Sequence, residues 1–180
     1  TPSRNRRNRL VTDRHLFVTD LDGTLLNDDR TVSETDLETL HRLRDNGVVV
    51  AAATGRSLYS FERALAHMET DTGSFPLDFL IFSTGAGVLR SGENAIVRHL
   101  AISRSDVVRI TACFERMQLD YMIHKPIPDT HHFMFRTHGR DNPDFFQRIG
   151  LYRSFASPLT SNAPVFESAT QVLAIMPPKV

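Results

Sequence analysis

Residues 17–29 read Phe17-Val18-Thr19-Asp20-Leu21-Asp22-Gly23-Thr24-Leu25-Leu26-Asn27-Asp28-Asp29. The apolar run Leu16 to Val18 predicts a short buried strand, and Thr19 and Asp20 place polar groups at its end. At ordinary residue usage, the pattern D-x-D-G-T arises by chance about once in 10⁵ windows. Residues two apart in an extended chain face the same way, so Asp20 and Asp22 can converge on one centre. Gly23 permits a tight turn, and the backbone N–H groups of the loop can face an anion. Asp-Gly is also ordinary turn chemistry. A plain turn, however, predicts neither the paired acids nor the Thr-Gly-Arg stretch at the end of the second strand.

Downstream, Val32 to Gly47 carries the marks of a helix. Ser33 caps it, Asp36 stands three residues on, Val32 can staple against Leu37, and Gly47 supplies the stop. Val48 to Ala53 predicts a second buried strand, Ser57 to Met68 a second helix, and Leu77 to Phe82 a third strand. This alternation implies a parallel sheet with right-handed crossovers. The second strand ends in Ala53-Thr54-Gly55-Arg56. A hydroxyl and a glycine just before a helix N-terminus make an anion site from the Thr54 side chain, backbone N–H groups and the helix dipole. Ligands in open α/β sheets bind beyond the carboxyl ends of the strands, where both motifs fall.

The pattern then changes. Ala86 to Arg90 and Ala95 to Arg98 flank a hairpin signal at Ser91 to Asn94. A helix starts at Ser103 or Ser105, with Val107, Ile110, Phe114 and Met117 as its apolar stripe and Cys113 beside it as a buried, inert thiol. Leu119 to His124 and His132 to Arg136 predict two strands around Pro126-Ile127-Pro128-Asp129. Asn142-Pro143 opens a short helix, and Gln171 to Met176 forms a last strand. Phe133, Phe135, Phe145 and Phe146 are expected in the core of this part. The expected division is an Arg-rich tail over residues 1–14, an α/β core over 15–88, and an α+β module over 89–180.

The opening FVTDLDGTLLNDD and the later AAATGR resemble the first two motifs of the haloacid dehalogenase (HAD) superfamily of phosphotransferases. The intervening helix, Arg56, and the third strand ending Ser83-Thr84-Gly85-Ala86 resemble its Cof-type sugar-phosphatase subfamily. The resemblance is specific over about residues 15–90 and architectural over 91–180. It implies a HAD-like Rossmannoid core with an inserted α+β cap, and a Mg²⁺-dependent phosphatase acting on sugar phosphates or similar small metabolites. Carried over, Asp20 is the nucleophile that forms an aspartyl-phosphate, and Asp22 is the general acid and base. Thr54, Gly55 and Gly23 hold phosphoryl oxygens. Mg²⁺ binds the Asp20 carboxylate and the Asp22 backbone carbonyl.

Some residues depart from that pattern. Thr84 stands where the family usually has Asn. The family also needs a downstream lysine and a late Gly-Asp acidic motif, yet the lysines here are Lys125 and Lys179. Lys125 heads Lys-Pro-Ile-Pro-Asp, which resembles the lysine motif of other branches. Asp141 and Asp144 follow Gly139 at a spacing loosely like the acidic motif. Residues 119–136 nevertheless read better as a hairpin. The expectation is therefore a chain ending inside the cap, poorly active or inactive alone. The alternative is a noncatalytic HAD-like chain that binds a phosphorylated ligand or a protein partner.

Composition narrows the classes. The 180 residues are 41% hydrophobic and 23% charged, which excludes disordered and collagen-like chains. No apolar run approaches the ~20 residues of a membrane span. Twenty-one basic residues balance twenty-one acidic ones, so no field over the whole chain points to nucleic acid or membrane. Five arginines against Asp13 in residues 1–14 suggest a solvated tail, with nucleic-acid binding by that tail as the alternative. A single cysteine fits a reducing, cytoplasmic setting. The eight histidines, His124, His131, His132 and His138 among them, match no familiar metal spacing and suit cap positions facing substrate. Oligomeric state is not legible.

Overall fold

The computed structural model describes residues 15–139, 141–160 and 166–177. Residues 1–14 and Lys179 lie outside them, and with them the expected Arg-rich tail. The chain runs through β1 (Leu16–Asp20), α1 (Glu34–Asp45), β2 (Val49–Ala53), α2 (Leu58–His67) and β3 (Phe79–Phe82). β1, β2 and β3 pair in parallel, with Asp20 opposite Ala53. Local chemistry starts and stops the helices where the sequence predicts. The Ser33 hydroxyl accepts from the Asp36 N–H and donates to its carboxylate, and Val32 and Leu37 pack on the core together. Asn46 and Gly47 close α1, the glycine at φ +76°. Ser57 caps α2 through the Ser60 N–H.

β4 (Gly87–Arg90) and β5 (Ala95–His99) form the expected hairpin, closed by a 3₁₀ turn at Ser91–Glu93. They continue the same sheet, in the order β1-β2-β3-β4-β5, with antiparallel pairing. The core sheet therefore reaches His99, past the division expected at residue 88. A tight turn returns β4 onto β3, and hydrogen-bonding to that edge covers more backbone than starting a separate sheet would. Gly87 lies opposite Phe82 in this pairing, and a Cβ there would run into the Phe82 ring.

The core lies between this sheet and its helices. Val50, Ala52, Leu80, Phe82 and Leu89 from the strands meet Leu40 of α1 and Phe61 and Leu65 of α2. β1 departs from the buried strand that its apolar run predicts, and agrees with the exposed edge expected of a first strand that lacks a neighbour on one side. It is not buried: Leu16 is 64% exposed and Phe17 and Val18 are also exposed. A parallel strand is buried when it has neighbours on both sides, and among the described residues β1 pairs with β2 alone.

The second part holds β6 (Ile102–Ser103), α3 (Arg104–Arg116), β7 (Asp120–His124), β8 (Phe133–Arg136), α4 (Pro143–Leu151), β9 (Ala156–Pro158), β10 (Ser168–Ala169) and β11 (Gln171–Ile175). The short strands β6, β9 and β10 carry no signal in the sequence. The main sheet of this part has the order β11-β7-β8-β9, and β6 pairs with β10. Both faces of β7 are covered. Tyr121 and Ile123 pack with Val107 and Phe114 of α3, whereas Met122 packs with Phe133 and with Phe145 of α4. That is why β7 is buried throughout. Met117 caps α3 at its C-terminal end and is exposed, as is Phe146 of α4, so neither belongs to this core. Cys113 is half-buried, with its thiol 3.9 Å from the Met117 sulfur. Among the described residues, no helix is long and apolar enough to cross a membrane.

Candidate active site

The loop after β1 alternates between core and surface. Leu21, Leu25 and Leu26 are buried, and the Leu26 N–H donates to the Leu21 carbonyl at 2.8 Å. Anchoring Leu21 inward leaves Asp20 and Asp22 on the outside at the carboxyl end of the sheet. Gly23, at φ +73°, turns the chain between them and Thr24. The exposed Asp20 carboxylate accepts from the Thr24 hydroxyl at 3.2 Å.

Asp22 is more constrained. The Thr54 hydroxyl donates to its Oδ2 at 3.3 Å. Arg56 grips it through Nη2 to Oδ1 at 2.6 Å and Nε to Oδ1 and Oδ2 at 2.8 and 3.0 Å. The Arg56 hydrogen bonds hold the Asp22 carboxyl below the usual carboxylate range; partial burial opposes them, while the charges of Arg56 and Arg30 and the Thr54 hydroxyl assist. Thr54 is buried, its backbone N–H donates to Ile81 of β3, and the pairing of Asp20 with the adjacent Ala53 across β1 and β2 brings it to the loop that carries the carboxylate. The two motifs, read separately from the sequence, thus meet at Asp22 and Thr54.

β3 ends in a tight loop with φ +50° at Ser83, +57° at Thr84 and +88° at Gly85. Left-handed backbone at a β-branched residue is unusual, and such strain gathers where a binding surface demands it. The Ser83 hydroxyl is buried with no hydrogen-bond partner among the described residues. Thr84 accepts from Nε2 of Gln171, on β11, at 3.2 Å. A second contact joins the two parts: Tyr59 of α2 stacks on His131 with centroids 4.4 Å apart and planes 18° apart.

Between them runs a cleft of about 1200 Å³, lined on the core side by Asp22, Gly55, Arg56, Ser83 and Thr84 among others. The opposite wall includes His124, Thr130, His131, Tyr152 and Gln171. Asp20 and Thr54 flank this cleft without lining it, and Gly23 lines a smaller depression with Thr24, Asn27 and Asp28. His124 is buried; its Nδ1 lies 2.8 Å from the Thr130 carbonyl, and burial lowers its proton affinity. Nδ1 therefore carries the hydrogen, and Nε2 is a lone-pair acceptor.

Other sequence readings land elsewhere. Lys125 opens the β7–β8 turn, with its Nζ 6.0 Å from the Phe166 ring, and does not line the cleft. Asp141 and Asp144 lie at the start of α4, also outside it. The histidines form no metal cluster: among the described residues, no three His, Cys, Asp or Glu side chains are grouped to hold an ion. Asp20 suits Mg²⁺ as an exposed oxygen ligand with one light partner, since that ion keeps most of its waters and takes one or two carboxylates. The Asp22 side chain is committed to Arg56, which leaves its backbone carbonyl as the donor it can offer. Sequence reading missed the role of Arg56 as the Asp22 partner. The one local signal was an arginine directly after Thr-Gly at a helix start.

A family model described as haloacid dehalogenase-like hydrolase matches residues 17–178. A 5-amino-6-(5-phospho-D-ribitylamino)uracil phosphatase of Bacillus subtilis is 47% identical over 58 residues, covering 32% of this chain and 22% of that protein. A HAD-superfamily phosphatase from Bacteroides thetaiotaomicron superposes with a TM-score of 0.59 at 19% identity, covering 88% of this chain and 54% of the other. A HAD subclass IIB sugar phosphatase superposes with a TM-score of 0.54 at 17% identity, covering 82% and 52%. The chain thus spans about half the length of these solved structures, and at such identities the likeness is one of fold.

Proposed function

The chain belongs to the haloacid dehalogenase-like hydrolase family, and from that premise we propose that it carries the nucleophile and acid/base half of a Mg²⁺-dependent phosphomonoesterase. The substrates in this reading are sugar phosphates or similar small phosphorylated metabolites. The observation that carries it is the meeting of Asp22 with Thr54 at adjacent strand ends, 3.3 Å apart, beside an exposed Asp20.

In this reading an Asp20 oxygen attacks phosphorus and the bond to the leaving oxygen breaks, giving an aspartyl-phosphate. Asp22 donates its proton to the departing oxygen. It then takes a proton from water as that water attacks the same phosphorus, which releases phosphate and restores the Asp20 carboxylate. Thr54 and the N–H groups of Gly55 and Gly23 hold phosphoryl oxygens, supported by the N-terminus of α2. The Asp20 carboxylate and the Asp22 backbone carbonyl would hold Mg²⁺, which would supply charge neutralisation at the phosphoryl group. Arg56 gives Asp22 its low proton affinity in the free protein. An arriving phosphoryl group competes for that guanidinium, and loss of the pairing lets Asp22 hold the proton it must donate.

The test is phosphate release from hexose and pentose phosphates with Mg²⁺, comparing the wild-type protein with Asp20→Asn and Asp22→Asn. Asp20→Asn abolishes turnover, and Asp22→Asn slows it or traps the phosphoenzyme. Wild-type turnover in Asp20→Asn overturns the mechanism.

A further inference from the structure

We propose that the cleft takes a phosphomonoester whose leaving group carries a second anionic group, phosphate or carboxylate, held between Arg63 of α2 and Arg148 of α4. This rests on the phosphomonoesterase reading and narrows its substrate class.

The charged lining of the cleft is lopsided. Arg30, Arg56, Arg63 and Arg148 face it against the single carboxylate of Asp22, although the whole chain balances 21 cations with 21 anions. Concave walls of one sign focus their potential and concentrate ligands of the other sign. Two of the four arginines serve the reacting end: Arg56 is paired with Asp22, and Arg30 is close enough to act on it. Arg63 and Arg148 have no carboxylate within salt-bridge distance among the described residues. Both line the cleft, Arg63 from α2 in the first part of the fold and Arg148 from α4 in the second.

Their neighbours suit a ligand. The Arg63 guanidinium carbon lies 5.8 Å from the centroid of the Tyr59 ring, and that ring stacks on His131 across the cleft. Arg148 lies close enough to His124, which is buried in the same wall, to disfavour its charged form. Both arginines are exposed, so a neutral sugar would leave their guanidinium groups to solvent. A second phosphate or carboxylate supplies a charged partner, and arginine binds either in a fork.

The test measures affinity by calorimetry without Mg²⁺, for two matched pairs of probes. One pair is fructose 6-phosphate with fructose 1,6-bisphosphate; the other is glucose 6-phosphate with 6-phosphogluconate. They separate phosphate from carboxylate as the source of the second charge. The expected result is a gain of roughly tenfold or more from the second anion in at least one pair, as charge-assisted hydrogen bonds of this kind supply. Arg63→Gln with Arg148→Gln should collapse the ratio within the pair towards one, and Arg63→Lys should keep part of it. Equal affinities in both pairs, or a ratio that survives the double substitution, overturns the inference. Monophosphate binding and turnover without such a gain leaves the phosphatase reading standing while this one falls. A gain that the Arg63→Gln, Arg148→Gln double substitution removes supports the anion subsite, whereas wild-type turnover in Asp20→Asn overturns the phosphatase reading and the substrate class with it.

Discussion

The Arg56 guanidinium and the Asp22 carboxylate form a forked pair, with Nη2 2.6 Å from Oδ1 and Nε 2.8 and 3.0 Å from the two carboxylate oxygens. The pair joins the loop after β1 to the start of α2, so one contact links the position of the acid to its charge state.

Arg56→Gln should raise the Asp22 proton affinity back towards the ordinary carboxylate value. The sign for stability comes from the lowered value. The pair stabilises the fold above the unfolded carboxylate pKa of 3.8, and that contribution is lost as pH falls through the lowered folded value. The Asp22 side chain is 49% exposed, so the effect at pH 7 should stay within about 1 kcal/mol and shrink with salt. Carboxyl-carbon NMR titration reads the shift directly. An unchanged Asp22 titration in the variant contradicts this account.

Thr84 holds φ +57°, a left-handed backbone that a β-branched residue tolerates poorly. Thr84→Asn should stabilise the chain by about 0.5–1 kcal/mol, because asparagine accepts this conformation more readily and keeps an oxygen for the Gln171 amide. Urea denaturation at fixed pH measures it. A lower midpoint would show that the Thr84 hydroxyl outweighs the backbone strain.

Gly87→Ala should destabilise by about 1–3 kcal/mol, since the new methyl meets the fully buried Phe82 ring. Combining it with Phe82→Leu should recover part of the loss, because the two side chains compete for one space. Additive losses in the double variant would refute the clash.

His124 has a lowered proton affinity through burial, so protonation works against the fold. A lowered folded value means stability is lost as pH drops below the unfolded histidine value of about 6.5. One such group gives a slope of at most about 1.4 kcal/mol per pH unit. His124→Gln keeps a donor for the Thr130 carbonyl and should flatten the stability profile between about pH 6.5 and 5. A profile as steep as wild type would assign that acid sensitivity to another group, His131 being the next candidate.

Local rules carried much of this protein into view. Ser33, Ser57 and Asn142 each cap a helix, because a cap is a bond between residues three apart. The strand–helix alternation up to β3 and the family membership were legible for a similar reason: Asp20 to Thr24 and Thr54 to Arg56 are short, contiguous stretches at strand ends. Exposure and sheet membership were less accessible. β1 has the composition of a buried strand and lies at an edge, and β4 and β5 join the core sheet instead of starting the second part.

Residue order alone was enough for the succession of the first elements, the helix caps, the acidic loop and the Thr-Gly turn, since each rests on interactions within a few residues. It took the folded chain to bring Arg56 onto Asp22 across 34 residues, to carry Gln171 to Thr84 across 87, and to line one cleft with Arg63 and Arg148. Such pairings depend on which strands lie side by side and on how two packed layers face each other. Those arrangements are set by burial and backbone pairing summed over the whole chain, and no local stretch carries that information.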